Sequence, residues 1–257
     1  MSKRIKKPLI IVTFITMLFF MNVSYANDII REGTLPSFEL IDRSFGLSNL
    51  SVSSVIQDRD GFIWFGTQGG LNRYDGRSFK VYANDPFNAT GLVHNLIQTL
   101  YYDADAHEIW IGTYQGISRY NITNDTFENY TVENNGLTNP VVVSIEKDDD
   151  GMIWAGTLEG LNSIDPISKK LTPYEVPGKV VRDILCDSQG TLWIGSYEGL
   201  LRFDRALDKV VHSGFDFVSK NVMVINEFDD GVLSVGLWDG GIADLDLTTE
   251  KIKTTKF

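Results

Sequence analysis

The sequence predicts an all-β fold built from five copies of one small unit. Residues 63–75 read IWFGTQGGLNRYD: a hydrophobic run, a Gly-Thr pair, a polar tip with glycines, a second hydrophobic run and an Asp. Four more copies follow, and the first glycines of the five are 46, 44, 39 and 41 residues apart, at Gly66, Gly112, Gly156, Gly195 and Gly236. Repeats of this size that carry only strand signals are typical of β-propellers. We therefore predict a propeller of four-stranded antiparallel blades.

Each unit shows four strand signals in the same order. In the first unit they cover residues 52–57, 62–67, 71–74 and 78–82. Asp-Gly pairs join the first to the second and the third to the fourth, and such pairs favour hairpins because glycine accepts a positive φ. We expect the five blades at about residues 52–82, 93–131, 141–175, 180–212 and 221–257.

One position on the second strand of each unit carries a tryptophan in four of the five copies. These are Trp64, Trp110, Trp154 and Trp193, and the fifth copy has Ser234. A large ring at this position can fill the space between neighbouring blades. The glycine two residues later lets the next sheet approach closely. We interpret both residue types as core and assign them no ligand.

The N-terminus has the organisation of a secretory signal. A basic stretch with four Lys and Arg residues precedes an apolar run over residues 8–21, and Ser24-Tyr25-Ala26 provides small residues before a cleavage point. We expect residues 1–26 to be a signal peptide cleaved after Ala26, with an uncleaved anchor as the competing interpretation. The mature chain is then periplasmic or otherwise extracytoplasmic. Residues 27–37 form a polar lead, and 38–45 alternate like a strand that could close a ring.

Charge and cysteine usage exclude some partners. The net charge of −11 argues against nucleic acid. Cys186 is the single cysteine, so the chain has no intramolecular disulfide. It lies in an apolar run and is expected to be a small buried hydrophobe rather than a nucleophile.

Two residue sets contain groups that could bind a metal or act in catalysis, but neither has the required arrangement. The turns at 58–61 and 148–151 are rich in Asp, but they lack the downstream acid that a calcium loop requires. We interpret them as hairpin turns and predict no metal and no other cofactor. The three histidines, His94, His107 and His212, fall at different levels of their blades, so we do not expect them to converge on one metal. No His–Glu pair can be placed near the mouth of the channel, so we predict no catalytic residues.

The tips between the second and third strands are the best candidate for a binding site. In a propeller these tips lie on the same rim as the connectors between blades, which here vary in length as binding loops do. Aromatic faces beside amides and carboxylates suit a polar ring such as a sugar. The candidate ligand-binding residues are Gln68, Tyr114, Gln115, Glu159, Tyr197, Glu198, Trp238 and Asp239. The alternative is that they are solvated hairpin tips.

Residues 46–82 carry a pattern, GLS…V.SVIQDRDGFIWFGTQGGLNRYDG.SF.VY, that closely resembles the first blade of the two-component regulator propeller family. The resemblance extends over residues 38–257. Ser234 for Trp, Asn121 for Asp and His107-Glu108 for Asp-Gly depart from the pattern and weaken individual blades. Family members of this kind are periplasmic sensor regions, usually with seven blades, followed by a transmembrane helix and a histidine kinase or diguanylate cyclase domain.

The resemblance implies an extracytoplasmic ligand-sensing module of a signal-transduction receptor, feeding a two-component phosphorelay or a cyclic-dinucleotide pathway. No phospho-acceptor histidine box or cyclase motif occurs, so we expect a non-enzymatic input half that works with a missing or separate membrane signalling domain. A small-molecule or oligosaccharide ligand is expected. Two alternatives stay open: a free-standing periplasmic binding or scaffold propeller, and an enzyme resembling the lyases that open streptogramin antibiotics.

Five blades are fewer than a seven-bladed ring contains. A blade at an open end exposes a sheet face, which invites self-association. We predict an open arc, or a strained five-bladed ring, that is less stable than a full receptor domain.

Overall fold

The computed structural model describes residues 40–88 and 90–255, and twenty strands in these ranges form five four-stranded antiparallel sheets. Each sheet uses four strands that are consecutive in the chain. Those of the first two blades are β1 (Val52–Gln57), β2 (Ile63–Thr67), β3 (Gly70–Tyr74), β4 (Phe79–Tyr82), β5 (Ile97–Asp103), β6 (Glu108–Thr113), β7 (Gly116–Asn121) and β8 (Thr126–Tyr130).

The remaining three blades follow the same order. Their strands are β9 (Val142–Lys147), β10 (Ile153–Thr157), β11 (Gly160–Ile164), β12 (Leu171–Tyr174), β13 (Val181–Cys186), β14 (Leu192–Ser196), β15 (Gly199–Asp204), β16 (Lys209–His212), β17 (Val222–Asp229), β18 (Val232–Leu237), β19 (Gly241–Asp246) and β20 (Lys251–Thr255). A four-residue helix, α1 (Val132–Asn135), lies in the connector between the second and third blades. The predicted five blades of four strands are confirmed.

The blades follow one another around an open arc. The first strands of neighbouring blades contact each other in the order β1, β5, β9, β13 and β17, so these strands line the inner side. Within the described residues, no packing of comparable extent joins β17 back to β1. Of the two predicted arrangements, the contacts match the open arc rather than the closed five-bladed ring.

The tryptophans fill the spaces between the blades. Trp64 and Trp110 are fully buried, and Trp154 and Trp193 are 3% and 5% exposed. Trp64 belongs to the apolar cluster of the second blade, with Ile97 and Ile109. Trp193 packs in the same way against the fifth blade. The predicted packing role of these residues is confirmed.

Glycine is required where the next blade approaches the second strand. A Cβ placed on Gly66 would lie 2.6 Å from Cγ2 of Ile97 in the second blade, and one on Gly195 would lie 2.9 Å from Cγ1 of Val222 in the fifth. Real Cβ atoms do not approach other heavy atoms so closely. The glycine therefore sets the distance between neighbouring sheets.

The two ends of the arc differ in chemistry. On the outward face of the first blade, Ile63 and Phe65 are buried beneath Leu47, which precedes β1. On the outward face of the fifth blade, the row that carries tryptophan elsewhere is polar on all four strands. Its members are Asn226, Ser234, Asp244 and Lys253. Ser234 Oγ donates to Asp244 Oδ1 at 2.6 Å.

The expected strand over residues 38–45 is wrong for the part that the structure describes. Residues 43–45 form a 3-10 turn instead. Asp42 accepts hydrogen bonds from the backbone N and the Oγ of Ser44, and Gly46 ends the turn with a φ of 99°. A side chain that satisfies the local backbone in this way competes with strand pairing. The expected signal peptide and polar lead, residues 1–26 and 27–37, lie outside the described residues.

Candidate functional site

The hairpin tips are fixed by a hydroxyl at the end of the second strand. Thr67 Oγ1 donates to the carbonyl oxygen of Gly70 at 2.9 Å and accepts from the backbone N of Gly69 at 3.0 Å. The equivalent hydroxyls of Thr113, Thr157 and Ser196 make the same two bonds. Each tip is thus held by its own buried side chain, which leaves the two tip residues free to vary.

The connectors lie beside the tips, as predicted. The buried side chain of Asn72 accepts from the backbone N of Ser48 at 2.9 Å and donates to its Oγ. Asn162 binds Thr138 in the same manner in the third blade. The backbone N of Tyr114, in a tip, donates to the carbonyl of Leu96, which directly precedes β5. Tips and connectors therefore share one rim.

The eight candidate residues are all exposed on this rim but are not joined to each other. Tyr114 is 43% exposed, Tyr197 45% and Trp238 71%. Among the described residues, no hydrogen bond, ion pair or ring contact connects the tips of two different blades. The structure places these residues on the tips, at separate points along the arc rather than in one cluster, and their role in binding stays a prediction.

The tip of the fifth blade is built differently. Leu237 replaces the hydroxyl residue, and the tip has one more residue before β19 begins at Gly241. The backbone N of Trp238 donates to the carbonyl of Asn221 at 3.0 Å, which ties the tip to the connector. The most exposed aromatic side chain among the tip residues therefore lies on the most irregular tip.

The innermost strands contain a β-bulge near this rim, which sequence reasoning missed. In the fourth blade Val181 pairs with Ser196 and Asp183 pairs with Gly195, so Arg182 is the extra residue. The equivalent extra residues of the other blades are Ser53, Gln98, Val143 and Met223. The guanidinium carbon of Arg182 lies 5.8 Å from the ring centroid of Tyr197, one of the candidate residues. No local pattern in the sequence announces the bulge.

The Asp-rich turns at the opposite rim serve the core. Asp148 Oδ2 accepts from the indole Nε1 of Trp154 at 2.7 Å, and Asp148 and Asp150 both pair with Arg205. Asp58 makes the same bond to Trp64. Among the described residues, no group of three or more His, Cys, Asp or Glu side chains is arranged to hold a metal ion. These carboxylates are engaged as hairpin caps and indole acceptors.

The three histidines have separate surroundings. His94 lies in a connector and accepts from the backbone N of Leu96 at Nδ1. His107 is buried between Tyr102, whose hydroxyl is 2.9 Å from Nδ1, and Asp60, whose Oδ2 is 3.3 Å from Nε2. His212 ends the outer strand β16. The described contacts bring none of them together.

A cavity of about 680 Å³ lies away from the tips, along the outer edge of the second and third blades. Arg119 lines it, and its Nε donates to Glu108 Oε2 at 2.7 Å while Nη1 donates to the carbonyl of Pro166 at 2.7 Å. The cavity contains none of the eight rim residues that the sequence singled out.

Burial raises the pKa of Cys186 to about 11, so its thiol stays protonated at neutral pH.

Fold and repeat together define a class of protein: a β-propeller in which four of the five second strands carry a Trp-x-Gly-Thr/Ser sequence. Three segments, residues 46–69, 136–159 and 175–198, match the family model described as two component regulator propeller. They contain the inner strand, the second strand and the tip of the first, third and fourth blades. Three of the five blades thus match the model of the two component regulator propeller family, in agreement with the resemblance that the sequence carries.

Among curated proteins, histidine kinase P4 of Formosa agariphila is 46% identical over 56 residues, which cover 22% of this chain and 4% of that protein. The chain therefore spans a small part of that relative's length. Within residues 40–88 and 90–255, no helix has the length and apolar character needed to cross a bilayer.

Solved structures with the same fold include two extracellular domains from B. thetaiotaomicron. One, from a hybrid two component system, is 23% identical with a TM-score of 0.64, and the match covers 85% of this chain and 36% of that one. The other, from a one component system, is 22% identical with a TM-score of 0.71, covering 85% and 31%. An inactive virginiamycin B lyase from Staphylococcus aureus, with quinupristin, is 16% identical with a TM-score of 0.66, covering 82% and 72%. At these identities the similarity shows the propeller fold.

Proposed function

We propose that this chain is the extracytoplasmic ligand-sensing propeller of a signal-transduction receptor, of the two-component or diguanylate cyclase type. The observation that carries the proposal is the family match in three blades, each match ending at an exposed rim tip. The two extracellular domains with the same fold, and the segment shared with a histidine kinase, support the same assignment. In this role the propeller is not an enzyme, and a membrane-bound domain delivers its output.

The ligand binds on the rim in this proposal. Tyr114, Tyr197 and Trp238 offer aromatic surface next to amide and carboxylate side chains, a combination that suits a small polar ring or an oligosaccharide. The tips are rigid because buried hydroxyls hold them in four of the five blades. A rigid scaffold with variable tips is a common way to place binding residues.

A binding screen with matched variants tests the proposal. A panel of neutral and charged mono- and oligosaccharides is titrated by calorimetry into the wild type and into the triple variant Tyr114→Ala, Tyr197→Ala, Trp238→Ala. The control is Phe87→Ala, which removes an aromatic ring that is 98% exposed but lies in a connector off the tips. We expect binding that the triple variant loses and the control retains. Binding that survives in the triple variant would place the site elsewhere.

A cellular experiment tests the location and the signalling role. The chain is expected in the periplasmic fraction, and the triple variant is expected to lose ligand-dependent output of the receptor while remaining folded. A chain retained in the cytoplasm would contradict the extracytoplasmic assignment. Turnover of a cyclic lactone antibiotic would contradict the non-enzymatic one.

A further inference from the structure

The bulge residues of the five inner strands differ in how their polar groups are satisfied. Ser53 Oγ donates to the carbonyl of Ile97 at 2.7 Å, and Gln98 Nε2 reaches the same carbonyl at 3.5 Å. Val143 and Met223 are apolar and need no partner. Arg182 is the one charged residue of the set. Because a bulge redirects a side chain out of the sheet pattern, this position is suited to presenting a functional group.

Arg182 carries an unmet hydrogen-bond donor. Its Nε is buried and has no acceptor, and its guanidinium forms no ion pair among the described residues. Arg119 shows the ordinary arrangement, with acceptors at both Nε and Nη1. A buried donor without a partner lowers stability, and one explanation for such a group in a native protein is that it binds a ligand or an ion.

The contact with Tyr197 places this donor at the rim. The guanidinium lies over the Tyr197 ring, which is itself 45% exposed in the tip of the fourth blade. Glu198, the next tip residue, lies against the neighbouring connector: a Cβ on Gly178 would be 2.5 Å from its Cγ. The partly buried guanidinium therefore lies beside a partly exposed aromatic ring, and among the described residues no carboxylate pairs with it.

We propose that Arg182 recognises an oxyanion group, a carboxylate, sulfate or phosphate, on a ligand whose ring contacts Tyr197. Guanidinium groups bind such oxygens through charge-assisted hydrogen bonds, which are stronger than neutral ones. The inference rests on the proposed rim site and adds the chemical class of its ligand. Glu198 is negatively charged, so it repels an anion at the tip and weakens its binding. This repulsion favours ligands whose oxyanion group reaches Arg182 in the bulge.

Three probes separate charge from ring contact. Inorganic sulfate has charge without a ring, benzamide has a ring without charge, and benzoate has both. Each is titrated into the full chain and followed by amide chemical shifts in NMR spectra. We expect benzoate to bind most tightly, sulfate weakly and benzamide about tenfold or more weaker than benzoate. Equal binding of benzoate and benzamide would overturn the proposal.

Two variants complete the test. Arg182→Met is expected to lower benzoate affinity about tenfold or more, whereas Glu198→Gln is expected to raise it by removing a like charge. Without any anion, Arg182→Met should keep or raise the melting temperature, because Met223 already occupies the equivalent position in the fifth blade. Unchanged benzoate binding in Arg182→Met, or a lower melting temperature, would show Arg182 to be structural.

Failure of this inference and failure of the proposed function give different results. If the rim binds only neutral ligands, and the triple tip variant abolishes that binding, the rim site stands and Arg182 is not its anion receptor. If benzoate binds through Arg182 but neither probe nor tip variant changes receptor output, the anion site stands and the sensing role fails.

Discussion

The indole Nε1 of Trp193 donates a 2.7 Å hydrogen bond to Oδ2 of Asp187, which lies in the turn six residues earlier. The other carboxylate oxygen of Asp187 accepts from the backbone N of Gln189 and of Thr191. One buried carboxylate therefore caps the hairpin turn and also accepts the hydrogen bond of the indole N–H that is buried between two blades. The same arrangement links Asp58 to Trp64 and Asp148 to Trp154.

Asp187→Ala is expected to lower the free energy of unfolding by about 2–4 kcal/mol, because it leaves the indole N–H and two backbone groups without acceptors. Asp187→Asn should cost roughly half as much, about 1–2 kcal/mol, since its amide oxygen can still cap the turn. Urea denaturation measures both. The control is Gln189→Ala, which keeps the backbone bond to Asp187 and should change stability little. Equal stability of Asp187→Ala and Gln189→Ala would contradict this account of the turn.

The second blade lacks the hydrogen bond between the turn Asp and the indole that the first, third and fourth blades have. Its turn is longer, Asp103 binds Lys147 at 2.9 Å, and the indole Nε1 of the buried Trp110 has no hydrogen-bond partner.

The regular features could be predicted from sequence: strands, tips and buried tryptophans follow from residue spacing. The bulge at Arg182 and the 3-10 turn at Arg43–Phe45 could not, because each depends on pairing or capping that no local pattern specifies.

Gly156→Ala is expected to separate the third and fourth blades. A Cβ at this position would overlap Val181 and would lie 3.2 Å from Cδ1 of Ile184. Overpacking of this kind costs about 1–3 kcal/mol. Thermal and urea denaturation should both show the loss. The control is Gly91→Ala, where the nearest atoms are 3.5 Å from the added carbon. Similar stability of the two variants would mean that the blades do not require glycine at their closest approach.

Stability is expected to fall between about pH 4.5 and pH 8 because of Glu146. Burial, with nearby Asp183 as the second cause, raises the pKa of Glu146 from 4.5 to about 8. Within this window the folded state binds a proton that the unfolded chain has released, so stability is full below it and falls as pH rises through it. Burial also raises the pKa of Asp183, which adds a change of the same sign.

Glu146→Gln removes the contribution of Glu146 to this pH dependence and should raise the free energy of unfolding at pH 8 by about 4 kcal/mol. At pH 4.5 the variant and the wild type should differ little. Urea denaturation across this pH range checks the difference, with the exposed Glu175→Gln as the control. A stabilisation that is equal at both ends of the range would show that Glu146 is ionised in the folded chain.

The open end of the fifth blade is expected to support weak self-association. Val224 is 46% exposed there, beside the polar row of Ser234 and Asp244. Apolar surface favours contact with a second copy, whereas the polar row limits its strength. Light scattering should show a mass that rises with concentration, and Val224→Asp should reduce that rise. A single monomer mass at all concentrations, identical in the variant, would contradict this prediction.

The five blades lie along an open arc with their tips on one rim. Spin labels on cysteines test this arrangement directly when Cys186 is replaced by Ala, with one pair at Gln68 and Gln115 and another at Gln68 and Asp239. The first pair spans neighbouring blades, and the second spans the first and the fifth. Pulsed electron spin resonance should give a much longer distance for the second pair. Equal distances would mean that the fifth blade closes onto the first, and would contradict the open arc.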